Sequence, residues 1–374
     1  MPNPPGMYKS LIKKSKWLYP ASWLYGVGVA LRNLLFDHGY IPERSFDLPV
    51  ICIGNITVGG TGKTPHTEYL IRLLQDDFQV AVLSRGYKRK TKGFILADEH
   101  STVHDIGDEP YQMKMKFPKI HMAVDANRCN GIEQLCRKQV TPETDTILLD
   151  DAFQHRHVKA GLNILLIDYN RLITEDTLLP AGRMREPQSA KYRAQMVIIT
   201  KCPKNMTPME YRVISNQLEL HAYQQLFFTT FDYGKLRPLF NGGKEYPLQS
   251  IHPSVHILLI TGIASPEPLM ERIAQTKNTI HSLSFSDHHD FTLKDMENIE
   301  QKFMQLPEGK RMIITTEKDA VRMMTHPHLP ASVKPYIYVL PIEVTFLQNQ
   351  QHVFNQNILD YVRKNTRNSR FPEE

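Results

Sequence analysis

The sequence predicts an α/β fold in which a mostly parallel sheet is flanked by helices and is joined by a second, smaller α/β domain. Short apolar runs of strand length recur at 48–53, 80–83, 146–149, 162–167 and 196–200. Helical or loop stretches separate these runs. Strands that alternate with helices in this way typically pair in parallel.

The same alternation continues on a smaller scale after residue 230, with apolar runs at 255–260 and 312–315. A chain of 374 residues, 41% of them hydrophobic, is long enough for two separate cores. We therefore predict a first domain over 1–230, a smaller domain over 231–345 that closes over the site, and a C-terminal helix and tail over 346–374.

Charge and cysteine content exclude several classes of protein. The chain has 45 Lys and Arg against 39 Asp and Glu, a net charge of +6 that suits anionic ligands but is too even for a nucleic-acid groove. The four cysteines have no metal-binding or C-x-x-C spacing, so we expect reduced thiols in a cytosolic setting. We expect no nucleic-acid partner, and we expect a monomer.

The N-terminal segment over about 8–36 begins with several lysines and continues with fifteen residues that carry no charge. This apolar stretch is too short to span a bilayer, and it lacks a signal-peptide cleavage pattern. Two interpretations stay open. The segment is either a core helix covering the first domain or an interfacial helix with Trp17, Tyr19, Trp23 and Tyr25 at the level of lipid headgroups.

A glycine-rich loop follows the first predicted strand and precedes a helical pattern. In the pattern G-x-x-x-x-G-K-[ST], backbone N–H groups wrap phosphates, the lysine neutralises them and the hydroxyl residue holds Mg²⁺. Here Thr57 replaces the first glycine, while Gly59 and Gly60 keep the loop flexible. The predicted phosphate-binding residues are Thr57, Val58, Gly59, Gly60, Thr61, Gly62, Lys63 and Thr64.

Two carboxylates, Asp150 and Asp151, come directly after the strand at 146–149. A phosphate loop needs an acidic partner for its metal ion, and carboxylate oxygens are suitable ligands for Mg²⁺. We predict that Thr64, Asp150 and Asp151 form the Mg²⁺ site. Which of the two aspartates binds the ion stays open.

Arginines also occupy positions suited to anionic ligands. Arg85 follows the strand at 80–83, and the carboxyl ends of strands in an open α/β sheet are where ligands bind. A planar guanidinium suits bidentate contacts with phosphate, so Arg85, Arg128 and Arg185 are candidates for phosphate binding. Which arginine meets which phosphate stays open.

Several segments, taken together and in order, resemble the tetraacyldisaccharide 4′-kinases, the lipid A 4′-kinase family of Gram-negative bacteria with a P-loop NTPase fold. The resemblance covers most of the first 200 residues and becomes sparse afterwards. Two departures are Ala152, where the family usually has glycine, and Arg183 with Met184, which replace a more usual small or apolar pair. The segments that carry the resemblance are 54–65, 84–87, 107–110, 150–155, 185–187, 285–289 and 315–319.

The resemblance implies an ATP-dependent lipid kinase with Mg²⁺. It would transfer the γ-phosphoryl group of ATP to the 4′-hydroxyl of tetraacyldisaccharide 1-phosphate, forming lipid IVA in lipid A biosynthesis. The enzyme would lie peripherally at the cytoplasmic face of the inner membrane, with the lipid A precursor and the membrane surface as its partners.

The resemblance also implies roles for individual residues. Asp108 would take the hydroxyl proton with the help of His288, for which the neighbouring His289 is the alternative, and Lys63 would neutralise the phosphates. The predicted substrate residues are Arg85, Glu109, Arg128, Gln154, His155 and Arg185.

Three alternatives make different demands on the sequence. A partitioning ATPase has a signature lysine in its loop, where this chain has Val58. A regulatory GTPase needs a guanine-recognition motif, and the segment 200–203 has proline in place of its aspartate. A soluble sugar kinase remains open, but it would not need the apolar N-terminal segment.

Overall fold

A computed structural model of the chain describes residues 16–370 except 142, 241–243, 264–265 and 288. The chain forms two compact units. Unit 1 comprises the residues up to Arg85, Lys119–Phe231 and the residues from Val344 onward. Unit 2 comprises Gly86–Pro118 and Asp232–Glu343.

The described residues include ten α-helices. They are α1 (Tyr19–Asp37), α2 (Lys63–Leu74), α3 (Val103–Ile106), α4 (Asp108–Lys116), α5 (Arg128–Leu135), α6 (Pro208–Leu218), α7 (Glu267–Ala274), α8 (Leu293–Met304), α9 (Glu317–Met324) and α10 (Gln351–Arg370).

The same part of the chain includes fourteen strands. They are β1 (Val50–Gly54), β2 (Val80–Ser84), β3 (Ile95–Leu96), β4 (His121–Val124), β5 (Thr146–Asp150), β6 (Leu162–Asp168), β7 (Met196–Thr200), β8 (Gln225–Tyr233), β9 (Arg237–Pro238), β10 (His256–Thr261), β11 (Thr279–Ser284), β12 (Arg311–Thr315), β13 (Ile337–Val339) and β14 (Ile342–Phe346).

The sheet of unit 1 runs in the order β14-β8-β7-β6-β1-β5-β2-β4. All neighbouring pairs from β4 to β8 are parallel. The predicted mostly parallel sheet flanked by helices is thus confirmed, and each apolar run predicted as a strand is one. Because helices cover both faces, β1, β2, β5 and β7 are buried along their whole length.

Strand β1 lies between β5 and β6 in this sheet. The chain leaves β1 toward β2 on one side and later returns as β6 on the other. Ligands bind at such a change of direction in open α/β sheets. In register, Ile53 of β1 is opposite Asp150 of β5, so the loop after β1 and the predicted aspartate pair leave the sheet at the same edge.

Unit 2 has a five-stranded sheet in the order β11-β10-β12-β13-β9. Only β9 is antiparallel to its neighbour among these strands. One face packs against α8 through Phe303, and the other face carries Ile257 and Ile314 against α7. Two apolar layers therefore cover the central strands.

Residues 86–118 belong to unit 2, whereas the predicted boundary at 230 left them in the first domain. The physical reason is the packing of α4 on α9. Lys116 pairs with Glu317 at 2.6 Å, and Asp108 pairs with Arg322. Such contacts, between residues 201 and 214 positions apart, leave no periodic signal in the sequence.

All four cysteines are free thiols, as predicted. Burial raises the pKa of Cys52 and of Cys202 to about 12. A thiol with so high a pKa is almost entirely protonated at neutral pH and is a poor nucleophile.

Helix α1 presents most of its apolar residues to solvent. Trp17, directly before the helix, is 92% exposed, and Trp23 and Leu24 are 69% and 66% exposed. Only Ser22 and Phe36 of the helix are buried. The interpretation of this segment as a core helix is therefore wrong, while the interfacial interpretation stays a prediction; residues 8–15 lie outside the described residues. No helix in the described part of the chain has both the length and the apolarity to span a membrane.

Two arginines attach the C-terminal half of α1 to the rest of unit 1. The buried Arg156 side chain pairs with Asp37 at 2.8 Å and with Glu43 at 2.9 Å. Arg32 of the helix donates to the carbonyl of Gln154 at 2.8 Å. The C-terminal half of α1 is thus joined to the turn that follows the predicted aspartate pair.

We expect Arg156→Met to lower the free energy of unfolding by about 1–3 kcal/mol, because it leaves Glu43 without its charged donor at a partly buried position. Urea unfolding measures this change, and hydrogen exchange locates it in α1. Arg363→Met is the matched control, since its pair with Asp77 is exposed on both sides. Equal losses in the two variants would contradict the anchoring role.

Candidate active site

The glycine-rich loop joins β1 to the N-terminus of α2 in unit 1. Gly62, the last residue before the helix, has a φ of +83°, and a Cβ there would lie 2.5 Å from Cζ of Phe231. Glycine is required on both grounds. The free N–H groups and the dipole at the start of α2 favour an anion at this place.

A neighbouring segment of the chain pairs with the backbone at the start of the predicted phosphate loop. The amide of Val58 donates to the carbonyl of Arg183 at 2.8 Å, and Thr57 forms a β-bridge with Met184. The amide of Arg185 donates to Ile56 at 2.7 Å. The amide of Val58 is therefore not available to a phosphate, and Arg183 supports the loop through its backbone.

The two aspartates after β5 have different surroundings. Asp150 is buried and accepts hydrogen bonds from Thr67 Oγ1 and Ser84 Oγ, each at 3.1 Å. Asp151 has a φ of +47°, and its Oδ2 lies 3.6 Å from the Lys63 ammonium. Asp151 thus faces the loop lysine, while Asp150 is held from behind by hydroxyl groups.

The residues around Asp151 suit a magnesium ion. Its Oδ1 atom is buried and receives no hydrogen bond, although Arg185 lies 3.8 Å away. No group of three or more His, Cys, Asp and Glu side chains suited to a metal occurs among the described residues. Mg²⁺ commonly uses only one or two carboxylates and completes its shell with water and phosphate oxygens, so Thr64 with the aspartate pair fits this ion.

Two of the predicted arginines lie near one another at the carboxyl edge of the sheet. Arg128 is buried at the start of α5 and donates to the carbonyl of Asp125 at 3.0 Å. Burial lowers its pKa; the carboxylates of Asp150 and Asp151 act against this shift, and the charge of Arg85 acts with it. Arg85 itself is exposed at the end of β2. These like charges would be stabilised by an anion.

Gln154 and Arg185 lie beside the phosphate loop. The Gln154 side chain donates to the carbonyl of Asn55 at 2.6 Å, and its oxygen lies 3.5 Å from an Arg185 nitrogen. The side-chain nitrogen Nδ2 of Asn55 in turn donates to Thr61 Oγ1 at 3.0 Å. This chain of contacts ties the predicted substrate residues to the loop.

His155 is a neutral imidazole. Burial, aided by the charge of Arg128, lowers its pKa to about 4, and its buried Nε2 has no hydrogen-bond partner. The ring lines an open groove of about 580 Å³ that also includes Arg44, Asn127 and His157. A polar ligand in this groove would satisfy the unpartnered nitrogen.

Asp108 and Glu109 are the first two residues of α4 in unit 2. Oδ2 of Asp108 accepts from Nε of Arg322 at 2.8 Å and also from its Nη2. Arg322 in turn lies 3.4 Å from the buried carboxylate of Asp319. The predicted base is thus held in a fixed orientation by a buried arginine.

His288 lies outside the described residues, so its prediction stays a prediction. Its neighbour His289 contacts Asp295 at 2.9 Å through Nε2 and stacks on Phe285. Asp295 also caps α8. His289 is therefore engaged with the start of that helix.

A family model for the tetraacyldisaccharide-1-P 4′-kinases, LpxK, matches residues 14–363, which is nearly the whole chain. The chain belongs to this family. Its members are ATP-dependent kinases of lipid A synthesis, so the family and the type of enzyme predicted from the sequence are confirmed. The partitioning ATPase, the regulatory GTPase and the soluble sugar kinase are thereby excluded.

Individual relatives agree with this assignment. The tetraacyldisaccharide 4′-kinase of Phocaeicola vulgatus is 66% identical over 98% of this chain and 100% of its own length. That of Porphyromonas gingivalis is 46% identical over 93% and 98%. A crystal structure of Aquifex aeolicus LpxK in complex with ATP superposes with a TM-score of 0.70 at 27% identity, covering 92% of this chain and 98% of that one.

Sequence patterns did not assign a role to three residues that support the site. Thr67, Ser84 and His66 contact the aspartate pair or the loop, yet a hydroxyl residue or a histidine in a helix or at a strand end is ordinary in sequence. Only their positions in the sequence could have indicated these contacts: Ser84 ends a strand, and Thr67 lies one turn into the helix after the loop.

We expect Gly62→Ala to destabilise the protein without nucleotide by roughly 1–3 kcal/mol, because alanine is strained at positive φ and its methyl group would collide with Phe231. Urea unfolding measures the loss. In the control Gly60→Ala the new methyl group meets nothing within 4 Å, so the change should stay within about 0.5 kcal/mol. Equal stability of the two variants would refute the geometry described for Gly62.

Proposed function

We propose that this chain transfers the γ-phosphoryl group of ATP to the 4′-hydroxyl of tetraacyldisaccharide 1-phosphate, producing lipid IVA. The observation that carries the proposal is the pairing of Lys63 with Asp151 beside the loop at the N-terminus of α2, in a member of this kinase family. Phosphoryl transfer requires mainly positioning and neutralisation of charge, and these residues supply both.

We assign Mg²⁺ to Thr64, Asp150 and Asp151. When bound, the ion would neutralise charge on the phosphate oxygens. Oδ1 of Asp151, which is buried and receives no hydrogen bond, supports a direct contact. Asp150 is already engaged by two hydroxyl groups, which supports a contact through water. Lys63 holds Asp151 on one side and supplies a further positive charge for the phosphates.

We assign proton removal to Asp108, oriented with the help of His288. The pair with Arg322 supports this assignment, because it holds the carboxylate in one orientation.

We propose that the polar residues of the predicted substrate set bind the acceptor and the remaining phosphate groups. Arg85, Arg128 and Arg185 would bind phosphate groups, because guanidinium groups are strong donors to phosphate. His155, as a neutral ring with an unpartnered nitrogen, suits a sugar hydroxyl. Gln154 and Glu109 complete the proposed acceptor set.

We further propose that α1 lies on the cytoplasmic face of the inner membrane. The exposed Trp23 and Leu24 support this, since indole and aliphatic side chains partition into the interface. An acceptor with four acyl chains resides in a bilayer, so an enzyme bound at its surface meets the acceptor directly.

Lys63→Met is expected to reduce ³²P transfer from ATP to the lipid disaccharide by about 10²–10³-fold, because it removes charge stabilisation at the phosphates. Asp108→Asn is expected to reduce it by about 10²–10⁴-fold, because the base is lost. Transfer is measured in mixed micelles, with Asp77→Asn at an exposed position as control. Near-normal turnover of Asp108→Asn would disprove the base assignment, whereas no transfer by the wild type would disprove the acceptor.

The double variant Trp23→Glu, Leu24→Glu is expected to bind vesicles containing phosphatidylglycerol at least ~10-fold more weakly, since it removes two apolar side chains from the interface. Its activity on detergent-dispersed acceptor should persist. Met209→Glu, at an equally exposed apolar position of α6, is the control and should bind as the wild type does. Unchanged vesicle binding of the double variant would contradict an interfacial role for α1.

A further inference from the structure

Three successive carbonyl groups of the phosphate loop accept hydrogen bonds from side chains outside the loop. The Lys201 ammonium donates to Gly60 O, and Thr200 Oγ1 donates to Thr61 O at 2.9 Å. Nδ1 of His66, on α2, contacts Gly62 O at 2.7 Å. The three side chains come from two elements, the end of β7 and the first turn of the helix.

We propose that Thr200, Lys201 and His66 are positioning residues that hold the phosphate loop in its nucleotide-binding shape before ATP arrives. A trans peptide is planar, and its C=O and N–H point in opposite directions. Fixing the carbonyls of residues 60, 61 and 62 therefore also fixes the direction of the next three N–H groups. A loop ordered in advance does not lose that entropy when the ligand binds.

Lys201 occupies its position at a conformational cost. Its φ is +58°, which a residue other than glycine rarely adopts unless its surroundings enforce it. Its ammonium also pairs at 2.8 Å with Asp168, a buried carboxylate at the end of β6. The segment 200–203 lacks the aspartate of a guanine-recognition motif. The contacts of Lys201 with the loop and with Asp168 explain its positive φ.

His66 is buried, and each of its ring nitrogens has a polar partner. A carbonyl can only accept, so Nδ1 carries a proton and donates it to Gly62 O. Nε2 contacts the Thr229 hydroxyl at 3.0 Å. The ring is thus held on both sides, which fixes its orientation toward the loop carbonyl.

Thr200→Val tests the proposal with a nearly isosteric change. We expect the Kd for ATP to rise by about 2–12-fold, the worth of one hydrogen bond, with a matching rise in the KM for ATP and an unchanged KM for the lipid. The control is Thr146→Val. Thr146 is equally buried and donates to the carbonyl of Pro49 at 3.1 Å, at the opposite end of the sheet. It should lose similar stability but bind ATP as the wild type does.

Lys201→Met provides a second test at a less buried position, with Lys201→Arg as the conservative exchange that should recover part of the affinity. ATP binding is measured without acceptor, so the result is independent of the proposed lipid substrate. Wild-type affinity for ATP in both Thr200→Val and Lys201→Met would overturn the proposal. An equal loss of affinity in Thr146→Val would overturn it as well, because the effect would then follow from stability alone.

Discussion

The active site depends on the parallel pairing of β1 with β5 and β6. This pairing brings the loop after β1 beside Asp150 and Asp151 on one side and beside Asp168 on the other. Because these strands are buried on both faces, a shift in register would expose apolar side chains, so the register is strongly fixed. The polar residues of the site are therefore positioned by strands that themselves carry almost no polar groups.

Charge is distributed around the loop in a consistent way. Lys63 and Arg185, which we propose to contact the phosphates, both pair with Asp151. On the other side, Lys201 is neutralised by Asp168 and contacts a loop carbonyl. Under the proposed assignments, the two lysines have different tasks: Lys63 contacts the nucleotide, and Lys201 contacts the protein backbone.

Much of this arrangement could be predicted from the sequence, because it depends on local patterns. Apolar runs predicted the strands of unit 1, and the spacing of the glycines before Lys63 predicted the phosphate loop. The supporting contacts could not be predicted. His66 and Thr229 are 163 residues apart, and Asp108 and Arg322 are 214 residues apart. Separations of this size do not indicate which residues will be in contact.

Two further features of the structure could not be predicted from the sequence. The exposure of α1 could not be decided from its composition, since an apolar stretch suits a core as well as an interface. The unequal surroundings of Asp150 and Asp151 depend on the positive φ of Asp151, and no sequence pattern signals that conformation for an aspartate.

The attachment of α1 has a consequence for how a lipid reaches the catalytic groups. Arg32 and Arg156 join the helix to the short turn that begins right after Asp151. If α1 rests at the bilayer surface, the depth of the helix also sets the height of the aspartate pair above the hydrocarbon. The acyl chains could then remain in the leaflet while only the sugar headgroup rises to the nucleotide, so catalysis would not require extraction of the lipid into water.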